Sequence, residues 1–213
     1  MKNKNIIIIG PQGSGKGTQA ETISEKFKIP HISTGDIFRQ NIKKKTKLGE
    51  KIKSFTEQGH LVPDEITNAV IKKRLAQKDC QKGFVLDGFP RNLEQANFLD
   101  SITNIGLVLE IWISDKESIK RISGRRTCPQ CGKIYHLYFN PPKKKNICDE
   151  DEEKLIIRND DKPKAIAKRL KIYHGETSPL VNYYKKRKIH IKVDGTPAIP
   201  KVTEKIMEIL RKK

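Results

Sequence analysis

Short apolar runs alternate along the chain with segments whose apolar residues recur every three or four positions. The runs predict β-strands at residues 5–9, 31–33, 83–87, 107–113 and 189–193. The segments between them predict helices, and this alternation is typical of a parallel sheet wrapped by helices. Ser114 and Glu117 form a capping box before one helix, and Pro200 opens the last. The pattern therefore predicts a three-layer α/β core with a five-stranded parallel sheet.

Two segments depart from this alternation. Residues 34–62 are helical in pattern but only weakly apolar, which predicts a small helical flap. In residues 124–161 the helical periodicity ends, and β-prone pieces at 133–139 and 155–158 flank a polar stretch at 140–146. This second segment predicts a hairpin-like lid with an exposed tip. We expect the core to comprise residues 1–33, 63–123 and 162–213.

Composition indicates a soluble protein. Hydrophobic residues make up 35% of the chain, and the longest apolar run, residues 6–9, is far too short for a membrane span or a signal peptide. Three of the four cysteines lie in the lid segment, which favours reducing surroundings over a disulfide framework. We therefore expect an intracellular, cytoplasmic protein that does not bind membranes.

The formal net charge of +19 raises the possibility of nucleic-acid binding, because basic surfaces attract phosphate backbones. The lysines, however, are spread along the whole chain in short groups such as 43–45, 72–73 and 185–186. Such groups are typical of solvated helical faces. We expect no nucleic-acid partner, although a nucleic-acid-binding protein with a zinc knuckle is an alternative of a different class.

The strand predicted at 5–9 runs directly into a glycine-rich loop, residues 10–18, with the sequence Gly-Pro-Gln-Gly-Ser-Gly-Lys-Gly-Thr. Glycines let backbone N–H groups turn toward phosphate oxygens, the following helix adds a favourable dipole, and Lys16 supplies a positive charge. The hydroxyl that normally follows the lysine directly is displaced by one position, to Thr18. This loop predicts a P-loop NTPase-like core that binds a nucleoside triphosphate. Its candidate phosphate-binding residues are Gly13, Ser14, Gly15, Lys16, Gly17 and Thr18.

The lid contains two pairs of potential metal ligands with the same spacing. Cys128 and Cys131 are three residues apart, and Cys148 and Asp151 repeat that spacing. Three thiolates and one carboxylate suit a tetrahedral Zn²⁺ better than Mg²⁺ or Ca²⁺, and such a filled set is typical of a structural site. Asp151 is the least secure ligand, because acidic residues flank it at 149, 150, 152 and 153.

Further motifs follow the loop in a characteristic order: Ser-Thr-Gly-Asp at 33–36, Leu-Asp-Gly-Phe-Pro-Arg at 86–91 with Gln95, Gly-Arg-Arg at 124–126 and Val-Asp-Gly-Thr at 193–196. In these motifs, and in the paired knuckles with Tyr135 and His136, essentially the whole chain resembles a bacterial-type adenylate kinase with a long zinc-binding lid. The family pattern also selects Asp151 as the fourth ligand.

The resemblance implies reversible phosphoryl transfer from MgATP to AMP, giving two ADP, by a monomer whose flap and lid close over the nucleotides. A kinase acting on another nucleoside monophosphate is the alternative within the same fold. Phosphoryl transfer passes through a loose transition state, so positioning and positive charge perform most of the catalysis. Arginine suits that task because its guanidinium donates two parallel hydrogen bonds to phosphate.

The resemblance also implies the role of each matching residue. The transferred group would be stabilised by Lys16, Arg91, Arg125, Arg158 and Arg169. Mg²⁺ would be held by Asp87 through water, which fits the strongly hydrated character of this ion. Besides the loop residues 13–18, ATP would contact Arg125, Ile134, Tyr135 and Pro197. The AMP site would comprise Thr34, Arg39, His60, Leu61, Val62, Gly88, Phe89, Pro90, Arg91, Gln95, Arg158 and Arg169.

Two positions depart from the family pattern. Gln12 stands where proline is common, so the stiffness of the loop is expected to differ. His60 replaces a residue that is often lysine or longer. Contacts at these positions are largely main-chain in the family, so neither change argues against the assignment.

Overall fold

The computed structural model describes residues 4–213 of the chain. Within this range, five parallel strands form one sheet in the order β2–β3–β1–β4–β7. These are β1 Asn5–Ile9, β2 His31–Ser33, β3 Phe84–Asp87, β4 Leu107–Trp112 and β7 His190–Asp194. All five predicted strands are confirmed, with ends that shift by one residue in β3, β4 and β7. The first three residues of the predicted core lie outside the described residues.

The sheet is buried on both faces, which explains why its central strand is a run of isoleucines. Residues 6–9 are each at most 3% exposed. Ile7 packs in an apolar cluster with residues of α5 and α8, whereas Ile8 packs on the opposite face with residues of α1 and α9. Burying each such side chain contributes about 1.5–3 kcal/mol. The predicted three-layer α/β architecture is therefore confirmed.

Helices connect the strands and continue beyond the last one. Their bounds are α1 Lys16–Phe27, α2 Thr34–Lys43, α3 Lys47–Glu57, α4 Asp64–Leu75, α5 Leu93–Ile102, α6 Asp115–Ser123, α7 Pro163–Ile172, α8 Pro179–Lys186 and α9 Ile199–Lys212. Short 3₁₀ turns occupy Lys78–Lys82 and Asn159–Asp161, and a π-helical turn occupies Tyr173–Thr177. Every helix within residues 4–213 is too short or too polar to cross a membrane.

Both predicted helix starts are present, although one capping box is incomplete. Ser114 caps α6 by accepting a hydrogen bond from the backbone N–H of Glu117 at 3.3 Å. The Glu117 carboxylate instead accepts from Arg121 one turn later, so the reciprocal half of the box is absent among the hydrogen bonds described for these residues. Pro200 lies in the first turn of α9, as predicted.

Residues 34–62 are helical, as predicted, whereas residues 124–161 contain only part of the predicted β-structure. Helices α2 and α3 form the flap around a small apolar cluster of Phe38, Ile52 and Val62. The lid contains an antiparallel pair, β5 Arg125–Thr127 and β6 Ile134–His136. The β-prone piece predicted at 155–158 forms only an isolated bridge, between Ile156 and Thr127. Residues 124–161 therefore contain little regular secondary structure.

Candidate active site

The phosphate loop follows from the direct passage of β1 into α1. Gly10, Gly13 and Gly15 have φ values of 148°, 76° and 91°, which other residues adopt only with strain. At Gly10 a Cβ atom would lie 2.1 Å from the carbonyl oxygen of Ile111, so the loop could not keep its course with a larger residue there. Helix α1 begins at Lys16, and its first backbone N–H groups therefore point into the curve of the loop.

The ammonium group of Lys16 lies inside this curve. Its Nζ donates hydrogen bonds of 2.8 Å to the carbonyl oxygens of both Gly10 and Pro11. Burial lowers the pKa of Lys16 to about 8; Asp87 opposes this decrease, and nearby arginines add to it. A negatively charged ligand at this position would raise the pKa again, because it favours the protonated form.

Asp87 lies at the carboxyl end of β3, next to Lys16. Burial alone would raise the pKa of Asp87, but nearby His31 and the charge of Lys16 outweigh it, and the pKa is lowered. One carboxylate oxygen lies 3.7 Å from Nε2 of His31. That oxygen is Oδ2, and a hypothetical Cβ at Gly17 would lie 3.5 Å from the same atom. The phosphate loop and this carboxylate are therefore neighbours at the carboxyl ends of β1 and β3.

Five arginines from separate elements surround the same space. Three form ion pairs: Arg125 with Asp161, Arg169 with Asp160, and Arg39 with Asp36. The other two are Arg91, whose Nε donates to the carbonyl oxygen of Gly88 at 2.8 Å, and Arg158, whose Nε donates to Thr127 at 2.8 Å.

The arginines are close enough to disturb one another. Burial, followed by repulsion from Arg169, lowers the pKa of Arg91 to about 10. Burial, followed by repulsion from Arg39 and Arg125, lowers the pKa of Arg158 to about 9. Such mutual repulsion is relieved when phosphate groups enter, so this cluster favours a polyanionic ligand.

The residues predicted to hold the second nucleotide form a connected group beside the arginines. Thr34 donates through its hydroxyl to the carbonyl oxygen of Gly88 at 2.8 Å. Gly88 has a φ of 78°, and a Cβ there would lie 2.8 Å from that hydroxyl oxygen. Phe89 and Pro90 are buried and joined by a cis peptide bond. Gln95 is buried next to Arg91, whose backbone N–H donates to its Oε1 at 2.7 Å.

The remaining predicted site residues differ in their exposure. Val62 is buried, while His60 is exposed and contacts Lys168 of α7. Ile134 and Pro197 are exposed and free to meet a base. The phenol oxygen of the buried Tyr135 instead accepts from the backbone N–H of Asp149 at 2.7 Å.

The same oxygen lies 3.4 Å from Sγ of Cys148, so the side chain of Tyr135 belongs to the interior of the lid. Tyr135 would therefore contact the ATP base through its backbone or through the edge of its ring. Its role in ATP binding stays a prediction.

The four predicted metal ligands converge. One ligand atom from each of Cys128, Cys131, Cys148 and Asp151 lies within 4.8 Å of the others. The Cys131 and Cys148 sulfurs are 3.6 Å apart, close to the edge of about 3.7 Å expected for a tetrahedron with 2.3 Å Zn–S bonds. Sγ of Cys128 lies 3.1 Å from Oδ2 of Asp151. This donor set fits zinc.

The acidic neighbours of Asp151 have other partners. Asp149 accepts from the backbone N–H of Lys143 at 2.8 Å, and Glu150 pairs with Lys133. Within residues 4–213, Asp151 is the carboxylate that completes the group of possible metal ligands. A hydrogen bond of 3.1 Å from the Glu153 backbone N–H to its Oδ1 orients it.

Several contacts that the sequence did not predict join distant segments of the chain. Nζ of Lys43, at the end of α2, donates to the backbone oxygens of Pro129 and Gln130 at 2.9 and 2.8 Å. We call this the flap–lid contact. Gln12 donates through its side chain to the carbonyl oxygen of Ile166 in α7 at 2.9 Å, so the residue that departs from the family pattern anchors the loop to that helix.

The site residues missed from the sequence are mostly carboxylate partners. Asp160 pairs with Arg169 and Asp161 with Arg125, and their signal was their position just after Arg158. His31 beside Asp87 carried only the weak signal of a polar residue starting a strand. Asp64 holds Gln95 and had no local signal.

Comparison with known proteins agrees with this geometry. The family model described as adenylate kinase matches residues 8–189. The chain is 49% identical to an adenylate kinase of Acholeplasma laidlawii over 98% of both chains. It is 50% identical to one of Lachnoclostridium phytofermentans over 97% of this chain and 98% of the relative, and 50% identical to one of Treponema denticola over 93% and 95%. On this similarity and this geometry, the chain belongs to the adenylate kinase family.

Proposed function

We propose that this chain transfers the γ-phosphoryl group of MgATP to AMP, reversibly, giving two ADP. The observation that carries the proposal is the convergence of Lys16, Asp87 and five arginines on one space between the phosphate loop, the flap and the lid. Membership of the adenylate kinase family supports the choice of AMP as acceptor.

The proposed role of each residue follows from its charge and position. The loop N–H groups and Lys16 hold the ATP phosphates, and Arg39 and Arg91 hold the phosphate of AMP. Arg125, Arg158 and Arg169 surround the group in transfer, where negative charge spreads over its oxygens. Arg91, Arg125 and Arg169 would exchange their present carbonyl or carboxylate partners for phosphate oxygen, so these arginines keep hydrogen-bond partners when the site is empty. The AMP phosphate is already nucleophilic and needs no general base.

Mg²⁺ supplies charge neutralisation on the ATP phosphates when bound, and Asp87 is the residue that would accept hydrogen bonds from its waters. The lowered pKa of Asp87 keeps this carboxylate ionised at neutral pH. Asp87 lies beside the phosphate loop, so its carboxylate would be close to an ion bound to the ATP phosphates.

We further propose that the chain works as three parts: a core (residues 1–33, 63–123 and 162–213), the flap (34–62) and the lid (124–161). Closure of the flap and lid excludes water, which would otherwise accept the phosphoryl group. The flap–lid contact supports a closed arrangement in which both parts meet above the site. A monomer acting on free nucleotides in the cytoplasm, without a nucleic-acid or membrane partner, completes the proposal.

A coupled assay for ADP tests the function directly. With MgATP, ADP formation should depend on AMP and exceed that with GMP, CMP or UMP by at least about 100-fold. Equal rates with another monophosphate would favour a different nucleoside monophosphate kinase. Salt-sensitive binding of DNA or RNA, without ADP formation, would favour the alternative of a nucleic-acid-binding protein.

The pKa of Lys16 predicts how activity depends on pH. Because this pKa is lowered to about 8, the free enzyme loses the ammonium charge as pH rises through that value. We expect kcat/KM for MgATP to fall above pH 8, whereas kcat falls later because bound phosphates retain the proton. Steady-state kinetics from pH 6.5 to 10 measure both, and a kcat/KM that is constant to pH 9.5 would contradict the assignment.

We propose that Cys128, Cys131, Cys148 and Asp151 bind a structural Zn²⁺. Asp151→Asn should reduce the zinc retained after dialysis to well below one ion per chain, because the amide is a weaker ligand than carboxylate. Asp149→Asn is the matched control, since Asp149 is a neighbouring exposed carboxylate with a backbone partner. Elemental analysis of both variants measures the metal. Equal zinc content in the two would exclude Asp151 as the fourth ligand.

A further inference from the structure

The amide of Gln95 is held at both ends. Its Oε1 accepts from the backbone N–H of Arg91 at 2.7 Å, and its Nε2 donates to Oδ1 of Asp64 at 2.6 Å. Gln95 is only 2% exposed. The other carboxylate oxygen of Asp64 accepts from Asn92 at 2.8 Å. Asp64 thus connects the start of α4 to the start of α5, across about 30 residues of chain.

The chemistry of the two partners fixes the direction of this amide. A backbone N–H can only donate, and a carboxylate can only accept. Rotating the amide of Gln95 by 180° would direct its NH₂ group at the N–H of Arg91 and its oxygen at the carboxylate of Asp64. Both hydrogen bonds would become repulsive contacts. The observed orientation therefore follows from the partners alone, independently of how the two ends of the amide were assigned.

A fixed amide has consequences for a base that it contacts. After these two hydrogen bonds, Gln95 retains one N–H of Nε2 and one lone pair of Oε1. Adenine presents an N6–H donor beside a ring-nitrogen acceptor, whereas hypoxanthine and guanine present the O6 acceptor in place of N6–H. For a base held in one position, an amide of fixed direction matches one of these patterns and opposes the other. Discrimination is then large because the wrong base leaves buried polar groups unpaired.

We propose that Asp64 is a positioning residue that sets the base specificity of the AMP site by fixing the direction of the Gln95 amide. The proposal rests on the proposed function, in which Gln95 contacts the base of AMP. Asp64 itself does not touch the nucleotide in this role. It acts only by making the direction that suits hypoxanthine or guanine unfavourable.

The variant Asp64→Asn tests this idea, because it keeps the shape of the side chain while its amide can either donate or accept. Gln95 is then free to turn. We expect the ratio of kcat/KM for AMP to kcat/KM for inosine monophosphate to fall about tenfold, the effect of one exchanged hydrogen bond. The KM for AMP should rise while the KM for MgATP stays unchanged.

Glu65→Gln is the matched control. Glu65 is exposed in the same first turn of α4, so this variant removes the same charge from the same helix start without touching Gln95. A specificity ratio in Asp64→Asn equal to that of Glu65→Gln, in folded proteins, would overturn the proposal. If Asp64→Asn does not fold by circular dichroism, Asp64→Ser, which suits a helix start, carries the same expectation and the same overturning result.

The experiment separates this proposal from the proposed function. Wild-type protein that forms no ADP from MgATP and AMP would refute the function itself. Wild-type activity together with an unchanged specificity ratio in the Asp64 variant would refute only the role of Asp64. A lower melting temperature with both substrates equally affected would indicate a purely structural carboxylate, and would also overturn the proposal.

Discussion

Replacing Lys16 with alanine is expected to lower kcat for ADP formation by about 10³-fold, the effect of removing one preorganised charged donor from a transition state. The reason is the position of its Nζ within 2.8 Å of the loop carbonyl oxygens, where it meets the phosphates of ATP. A coupled assay with saturating MgATP and AMP measures the loss. Binding of MgATP should weaken much less than kcat, because the loop N–H groups remain.

The control for this change is Lys26→Ala. Lys26 lies on the same helix as Lys16 but is exposed in its last turn. Its removal costs one positive charge without touching the loop, and kcat should stay within about twofold of wild type because the charge is screened by solvent. Activity that survives Lys16→Ala unchanged would contradict the proposed catalytic centre.

The second large effect concerns stability. Replacing Cys148 with serine, or removing the metal with a chelator, is expected to lower the melting temperature by an amount on the order of 10 °C. The lid has a small apolar cluster, Cys128, Tyr135, Cys148 and Leu155, of which two members are metal ligands themselves. Turnover well below the melting temperature should fall much less, because the hydrogen bonds described within residues 4–213 join none of the four proposed ligands to a proposed catalytic arginine.

The fourth cysteine provides the control. Cys80 is buried beside Arg74 in a core cluster separate from that of Cys128 and Cys148, and it is not part of the group of possible metal ligands. Cys80→Ser should still lose melting temperature on chelation, as wild type does, whereas Cys148→Ser should no longer respond. Differential scanning calorimetry with and without chelator makes the comparison. Equal melting temperatures for wild-type protein with and without metal would show that no structural metal is present.

The parts of this structure that follow from short-range pattern were predictable. The isoleucine run of β1 indicates burial on both faces, and the loop glycines adopt φ values that other residues avoid. The equal spacing of the two knuckles indicates that they bind one metal ion in common. Each of these constraints acts within a few neighbouring residues. The sheet, Lys16 and the paired knuckles could therefore be derived from local pattern, whereas the roles of the arginines and of Asp87 came from the family resemblance.

The parts that were missed depend on pairs distant in the chain. Asp64 meets Gln95 across 31 residues, and Lys43 meets Gln130 across 87 residues. Nothing in the local sequence distinguishes this lysine from its neighbours, Lys44 and Lys45. At Glu117 the local pattern predicted a complete capping box, but its carboxylate pairs with Arg121 instead of the helix start.

The flap–lid contact has a kinetic consequence. Lys43 is exposed, so its two hydrogen bonds to the knuckle oxygens add only about 1 kcal/mol to the closed form, equivalent to roughly a fivefold longer closed lifetime. Opening precedes ADP departure, which often limits turnover in enzymes that close over their substrates. The acceptors are the backbone oxygens of Pro129 and Gln130, which lie between the proposed zinc ligands Cys128 and Cys131. If zinc binds as proposed, the frequency of product release would be linked to the integrity of a metal site that takes no part in the chemistry.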